Sequence, residues 1–403
     1  MGSTAGSSYF IELDETFGAH NYKPLDIVIS RAKGCKVWDP EGHEYYDFLS
    51  AYSAVNQGHC HPRIIEAAKQ QLDQVTLTSR AFRNNRMGPF LKTLCGIAGY
   101  DMALPMNSGA EAVSTALKLI RRWGYRVKGI PKDKANVAVC SGNFHGRTIT
   151  IVGFSSEEQY RADFGPFTPG FTSVTYGDIN DLKKALGDTT CAFMVEPIQG
   201  EGGIIMPPEG YLSAARKLCR ERNILFVLDE IQTGLGRTGR MFCFEHEIDA
   251  RPDVLILGKA LGGGVVPVSA VLANREIMEL FRPGDHGSTF GGNPFACAAG
   301  IAALEVIVEE RLPERSMKLG TYLIKQLQAI HSDSVVEVRG KGLLIGIELN
   351  RPARGLCEAL QRRGVLAKET HEMVLRLAPP LIITRDELDD VIERIREALA
   401  SDW

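Results

Sequence analysis

From about residue 100 the chain alternates short apolar runs with amphipathic stretches, and no other feature restricts its fold so tightly. The runs are Ala103–Met106, Val137–Cys140, Ser173–Tyr176, Cys191–Val195, Ile224–Leu228, Val254–Leu257 and Val268–Leu272. Helical patterns such as Glu111–Trp123 and Gly210–Arg222 lie between several of them. Short apolar runs separated by helical patterns read as strands buried on both faces. The reading is therefore α/β: a mainly parallel sheet, seven runs in all, covered by helices.

The flanks have a different texture. Cys35–Trp38, the turn Asp39–Gly42 and His43–Phe48 read as a hairpin. A helical pattern covers about 296–310, followed by a second helix. Strands are expected near Val335–Val338 and Leu343–Glu348, with a closing helix over Arg385–Leu399. At roughly 150 residues per domain, 403 residues suggest two or three lobes. We divide the chain into an N-terminal segment (1–48), a large domain (49–292) and a C-terminal part (293–403), the first and last forming a smaller α+β domain.

Charge and cysteines narrow the function. Lys plus Arg number 46 and Asp plus Glu 49, a net charge of -3. A nucleic-acid binder would need a basic excess, so none is expected. No apolar run approaches the roughly 18 residues of a membrane span. Nine cysteines occur singly with no CxxC pair, which argues for buried thiols in a reduced compartment. The opening MGSTAGSSYF lacks a basic region followed by an apolar stretch. It reads as a flexible tail, and the expected location is the cytoplasm.

In open parallel sheets, ligands bind at the carboxyl ends of the strands. Asn107-Ser108-Gly109 follows the first run, and Asn143 to Arg147 follows the second. Glu196 to Glu201 follows the fourth, Asp229-Glu230 the fifth and Gly258-Lys259 the sixth. Polar, reactive groups therefore converge on one edge. A lysine ending an apolar strand is partly desolvated, which makes its amine nucleophilic. A carboxylate on a neighbouring strand end is the partner a pyridinium nitrogen needs. Ser108-Gly109-Ala110, opening a helix, offers N–H groups to a phosphate. Lys259, Asp229 and this loop together are what holding pyridoxal 5'-phosphate requires.

Two other motifs carry less. Gly234-Leu235-Gly236-Arg237-Thr238-Gly239 matches a dinucleotide fingerprint. No helical stripe follows it, so a glycine-rich surface turn is the expected reading. His59-Cys60-His61 lacks further metal ligands at workable spacing and reads as a turn before a helix. No metal site is expected.

The residues also resemble a known family over about 17–399: the class III (subgroup II) aminotransferases of fold type I, which use pyridoxal 5'-phosphate. The blocks that carry the resemblance include FGAHNYKPL (17–25), SAYSAVNQGHCHP (50–62), LPMNSGAEA (104–112) and GNFHGRT (142–148). Others are VEPIQGEGG (195–203), LDEIQTGLGRTG (228–239), LGKALGGG (257–264), HGSTFGGNP (286–294) and LRLAPPL (375–381). Departures are small: Gly202 stands where many relatives have Ala, Phe290 where some have Tyr, and His145 where animal relatives have Trp.

The resemblance implies roles residue by residue. Lys259 resembles the lysine that bonds the cofactor. Asp229 matches the acid that pairs with the ring nitrogen, Gln232 the partner of the ring hydroxyl, and Phe144 the stacked aromatic. Ser108, Gly109 and Ala110 match the phosphate loop. Ser288 and Thr289 resemble phosphate contacts supplied by a second subunit, so a homodimer is implied. Arg147 and Arg376 match two carboxylate-gripping arginines, and Glu201 a glutamate that masks Arg376. Tyr22 and Tyr52 match pocket residues that favour L-ornithine. The implied reaction moves the δ-amino group of L-ornithine to 2-oxoglutarate, giving L-glutamate and glutamate 5-semialdehyde in a ping-pong cycle. Acetylornithine and 4-aminobutyrate are the alternative donors.

Overall fold

The computed structural model describes residues 6–403. Chain order gives three short strands first: β1 (Arg31–Lys33), β2 (Lys36–Trp38) and β3 (Glu44–Asp47). The central strands are β4 (Met102–Met106), β5 (Asn136–Cys140), β6 (Phe171–Val174), β7 (Thr190–Val195), β8 (Leu225–Asp229), β9 (Val254–Leu257) and β10 (Ser269–Ala273). These seven form one sheet in the order β4-β10-β9-β8-β7-β5-β6. Strand β10 runs antiparallel to both its neighbours, and the remaining pairings are parallel. Each lies within two residues of its apolar run. Strands β7 to β10 are buried along their whole length, as expected for a sheet covered on both faces.

Helices Gly109–Arg126 and Tyr211–Glu221 follow β4 and β7, and both bury an apolar stripe. Helix Pro294–Glu309 is apolar almost all round and packs into the core, as such a helix must. After it come helix Leu312–Gln328 and strands β11 (Val335–Lys341), β12 (Leu344–Leu349), β13 (Val365–Leu366), β14 (Lys368–Thr370) and β15 (Val374–Leu377). Helix Arg385–Leu399 follows, opened by a Thr384–Glu387 capping box. Strands β11, β12, β15 and β14 form a second sheet. Strand β13 instead joins β1–β3, pairing in parallel with β3 through Val365 and Tyr46.

The hairpin β2–β3 closes as expected. Gly42 takes φ 92° in its turn, and the His43 amide bonds Asp39 Oδ1 at 2.8 Å. The tail reading fails in part. Residues 1–5 lie outside the described residues, but Ser7–Phe17 is a helix. Ser7 anchors it, its amide donating to Glu41 Oε1 at 2.6 Å.

The GLGRTG segment is not a surface turn. Leu235, Arg237 and Thr238 are buried. Arg237 donates to the carbonyls of Leu343 (2.9 Å) and Pro379 (2.6 Å) and to Asn56 Oδ1 (2.5 Å). A fully buried guanidinium needs partners for its donors; here Nη1 and Nη2 find theirs by tying three distant segments together, while Nε has none. His59 and His61 point to separate carboxylates, Asp47 and Glu310. No metal-ligand cluster occurs among the described residues. All nine cysteines are free and seven are buried. None of the described helices is long and apolar enough to cross a membrane.

Candidate active site

At the carboxyl edge of the central sheet lies a cavity of about 220 Å³. Its lining includes Gly109, Ala110, Phe144, Glu196, Asp229, Gln232 and Lys259, so residues from five chain segments meet there as the edge argument requires. Phe144 and Glu201 also line an outer recess of about 470 Å³ beside Tyr160 and His371.

Lys259 directly follows Gly258 at the end of β9 and takes φ 45°, a left-handed value that is strained for a residue with a side chain. Burial lowers its amine to about 8, against the pull of Glu201. Asp229 is the last residue of β8 and is buried. Its Oδ1 accepts from the Ile231 amide at 3.1 Å, and His145 Nδ1 sits 2.7 Å from Oδ2. Burial alone would lower the His145 imidazole, but the Asp229 hydrogen bond and charge outweigh this and hold it above its ordinary value. Glu196, also buried, is raised to about 7 by burial, with its carboxylate accepting from the Phe144 amide at 2.8 Å. A cluster of two carboxyls and an imidazole thus forms part of the cavity lining.

The cradle opposite is built by a helix start. Ser108 caps helix Gly109–Arg126, and Glu111 returns the bond in a capping box. The first-turn amides of Gly109 and Ala110 are left without intrahelical acceptors, and the helix dipole adds to their positive field. Glycine is required at 146: its φ is 120°, and a Cβ there would come within 2.9 Å of the Ala110 Cβ. The backbone therefore passes close to the cradle.

Two arginines contact residues that line the cavity. Arg376, on β15, is 2% exposed, and its Nη1 donates to Glu201 Oε1 at 2.8 Å. Burial would raise the Glu201 carboxyl, but Arg376 outweighs it and brings the group to about 2. Gln232 Nε2 also reaches Glu201 Oε1, at 3.3 Å. Arg147 is exposed, with its guanidinium 4.1 Å from the Tyr160 ring centre and 5.6 Å from that of Phe144. It has no carboxylate partner among the described residues. Tyr52 is half-buried, and the Arg376 guanidinium lies 5.3 Å from its ring centre.

Tyr52 arrives there on a strained turn. Ser50, Ala51, Tyr52 and Ser53 have φ of 48°, 47°, 61° and 70°, four left-handed residues in a row. That conformation costs roughly 1–2 kcal/mol per residue. Asp47 helps hold it, its Oδ1 accepting from the Leu49 and Ser50 amides at 2.9 and 2.8 Å. Tyr22 stands exposed, close enough to Tyr52 to add to the burial that raises the Tyr52 phenol. Ser288 and Thr289 do not line the cavity of their own chain; Ser288 Oγ accepts from Asn107 Nδ2 at 3.0 Å.

Sequence reasoning passed over Thr370 and Tyr160, and it recorded Glu196 and His145 without partners. The one available signal was for Thr370. On the β14–β15 hairpin Lys368 pairs with Arg376, which makes Thr370 the diagonal neighbour of Arg376 on the same face.

Lysine, acid and N–H cradle on this sheet edge are the features of a pyridoxal-phosphate enzyme. The family model "Aminotransferase class-III" matches residues 17–399, and the chain belongs to that family. Among individual relatives, the ornithine aminotransferase of an Exiguobacterium species is 60% identical over 390 residues, covering 97% of each chain. The solved ornithine aminotransferase of Toxoplasma gondii, with pyridoxal phosphate partly occupying its active site, is 45% identical with a TM-score of 0.96. The match covers 98% of this chain and 94% of that one. The acetylornithine aminotransferase of Elizabethkingia anophelis is 48% identical with a TM-score of 0.90, covering 98% and 99%.

The residues fit the family's cofactor. Gln232 Oε1 is buried with no partner in the chain. A buried unpaired acceptor costs about 1–3 kcal/mol, and a ring hydroxyl supplies the missing donor. Asp229 suits a ring N–H, and the Gly109–Ala110 cradle suits a phosphate.

Proposed function

We propose that the chain transfers the δ-amino group of L-ornithine to 2-oxoglutarate, yielding glutamate 5-semialdehyde and L-glutamate. One observation carries this reading: against the lining of the Lys259 cavity, one arginine is masked and another is open. Arg376 is engaged by Glu201 at 2.8 Å, while Arg147 has no carboxylate partner among the described residues. A single site that takes both a diamino acid and a dicarboxylic oxo acid needs one permanent carboxylate grip and one that can be switched off.

Bound pyridoxal phosphate supplies an aldehyde for amine exchange and a cationic ring that holds electron density during proton transfer. The chain does the rest. Lys259 Nζ, brought to about 8 by burial, gives up and takes back a proton near neutrality. Asp229 holds the ring nitrogen, and His145 orients Asp229. Gln232 meets the ring hydroxyl, and Phe144 covers one face of the cavity. Ser108, Gly109 and Ala110 grip the phosphate. Arg147, with Tyr22, binds the α-carboxylate of L-ornithine while Glu201 covers Arg376. With 2-oxoglutarate, Glu201 releases Arg376 to the α-carboxylate, and Arg147 takes the distal one. Planar guanidinium suits both tasks because it grips a carboxylate with two bonds.

The active unit in this proposal is a homodimer. Ser288 and Thr289 reach a phosphate site other than their own, and exposed Phe82 and Phe290 (73% and 55%) belong to the covered face.

A second donor has support in the acetylornithine aminotransferase at 48% identity. Tyr52 separates the two. We expect the wild type to prefer L-ornithine over acetylornithine and 4-aminobutyrate in half-reaction kinetics. Tyr52→Ala should narrow that preference about tenfold or more. An unchanged ranking in the variant, or a wild type that prefers acetylornithine, overturns the substrate assignment.

A further inference from the structure

Masking works only if Arg376 stays aimed when its mask leaves, and the structure contains a group suited to that task. Thr370, 5% exposed at the end of β14, lies between the two partners. Its Oγ1 donates to the Glu201 carbonyl at 2.8 Å and accepts from Arg376 Nη2 at 2.8 Å. The polarity is unambiguous. A guanidinium only donates, so the hydroxyl must accept from it, and its single proton is then directed to the Glu201 carbonyl.

We propose that Thr370 is the positioning residue of the switch: it holds the Arg376 guanidinium in place after the Glu201 side chain departs, and pins the Glu201 backbone so that only the side chain moves. This rests on the masked-arginine reading above. Once Glu201 is removed, the other oxygen reached by Arg376 is the Gly200 carbonyl, at a long 3.4 Å, and Arg376 Nε has no partner. Without the Thr370 hydroxyl, a buried cation would be left with one weak contact and the face of Tyr52. Position 370 is itself rigidly set. The β14–β15 hairpin turns through His371 and Glu372, both left-handed at φ 49° and 57°, and pairs Thr370 with Val374. The next residues in the Glu201 loop are Gly202 and Gly203; a Cβ on Gly202 would come within 3.0 Å of the Gly142 carbonyl oxygen, and Gly203 takes φ 112°, so the backbone carrying Glu201 is closely set.

The role has a directional consequence. With Glu201 in place, Arg376 keeps a charged anchor and the loss of Thr370 matters less. With Glu201 gone, the loss is felt in full. The probe is glutarate, a five-carbon dicarboxylate with neither amine nor oxo group, titrated calorimetrically into the holoenzyme. Thr370→Val should bind it about tenfold more weakly, since hydrogen bonds to charged groups are the strong ones. The KM for 2-oxoglutarate should rise with it, and the KM for L-ornithine should move less. Thr370→Ser keeps the hydroxyl and should recover glutarate affinity to within about threefold.

Wild-type glutarate affinity in Thr370→Val overturns the inference. So does equal weakening toward both substrates, or failure of serine to rescue. If valine does not fold, Thr370→Ala against Thr370→Ser asks the same question. Glu201→Gln separates this inference from the reading beneath it. If that variant leaves the balance between L-ornithine and glutarate unchanged, the masked-arginine reading itself fails. If it shifts the balance while Thr370→Val does not, only the role of Thr370 fails.

Discussion

Arg147 and Arg376, the two carboxylate grips of the proposed reaction, sit in opposite environments. Arg147 is exposed and leans on two aromatic rings, with no carboxylate partner among the described residues. Arg376 is buried, paired with Glu201 and bonded to Thr370. An open guanidinium is available to every substrate, whereas a buried, paired one is available only when its partner yields. On the proposed reading, this difference lets one pocket accept two unlike substrates in turn without rebuilding its walls.

Removing the open arginine should have the largest effect. Arg147→Ala is expected to cut kcat/KM by roughly 10³ for both L-ornithine and 2-oxoglutarate, because two charge-assisted bonds are lost in each half-reaction. Stopped-flow measurement of the separate half-reactions checks this. A loss confined to one of them would break the contrast. Arg376→Ala should be selective: roughly 10² for 2-oxoglutarate and under tenfold for L-ornithine, read in the same assay. An equal loss for both would mean that Arg376 is a structural ion pair.

A smaller effect concerns protonation of the cofactor-free chain. Lys259 sits at about 8, below its ordinary 10.5. Between those values the unfolded chain holds a proton that the folded chain has lost, so stability contributed at this residue rises as pH climbs through the window. Glu201 is the mirror case: held at about 2, it adds stability above the ordinary carboxyl value and loses it as pH falls from about 4.5 toward 2. Melting the apo protein at pH 7.5 and 10 should show Lys259→Met gaining most over wild type at the lower pH, by a few degrees. An identical offset at both values would show that the amine is not desolvated.

Legibility followed sequence distance. The strands of the central sheet were readable because each is a local apolar run that must be buried, and their ends located Lys259, Asp229 and the Ser108 cradle. The His145–Asp229 contact joins residues 84 apart, and Arg376–Glu201 joins residues 175 apart. No local pattern encodes either; the family resemblance supplied the second and not the first. The left-handed turn under Tyr52 was hidden for another reason. Ser-Ala-Tyr-Ser contains no glycine to announce a positive φ. In GLGRTG the glycines were visible, but nothing local told a surface turn from one wrapped around the buried Arg237.

The pairing of β3 with β13 bears on how the protein is made. Tyr46 leaves the ribosome early, but the strand it pairs with begins at Val365. At roughly 5–20 residues per second, the edge of the first hairpin waits tens of seconds for its neighbour. Throughout that time Glu44–Asp47 offers an unpaired strand edge to any passing chain. Synthesis slow enough to lengthen the wait, or crowded enough to bring nascent copies together, would therefore reduce the yield of active protein without altering a single residue of its site.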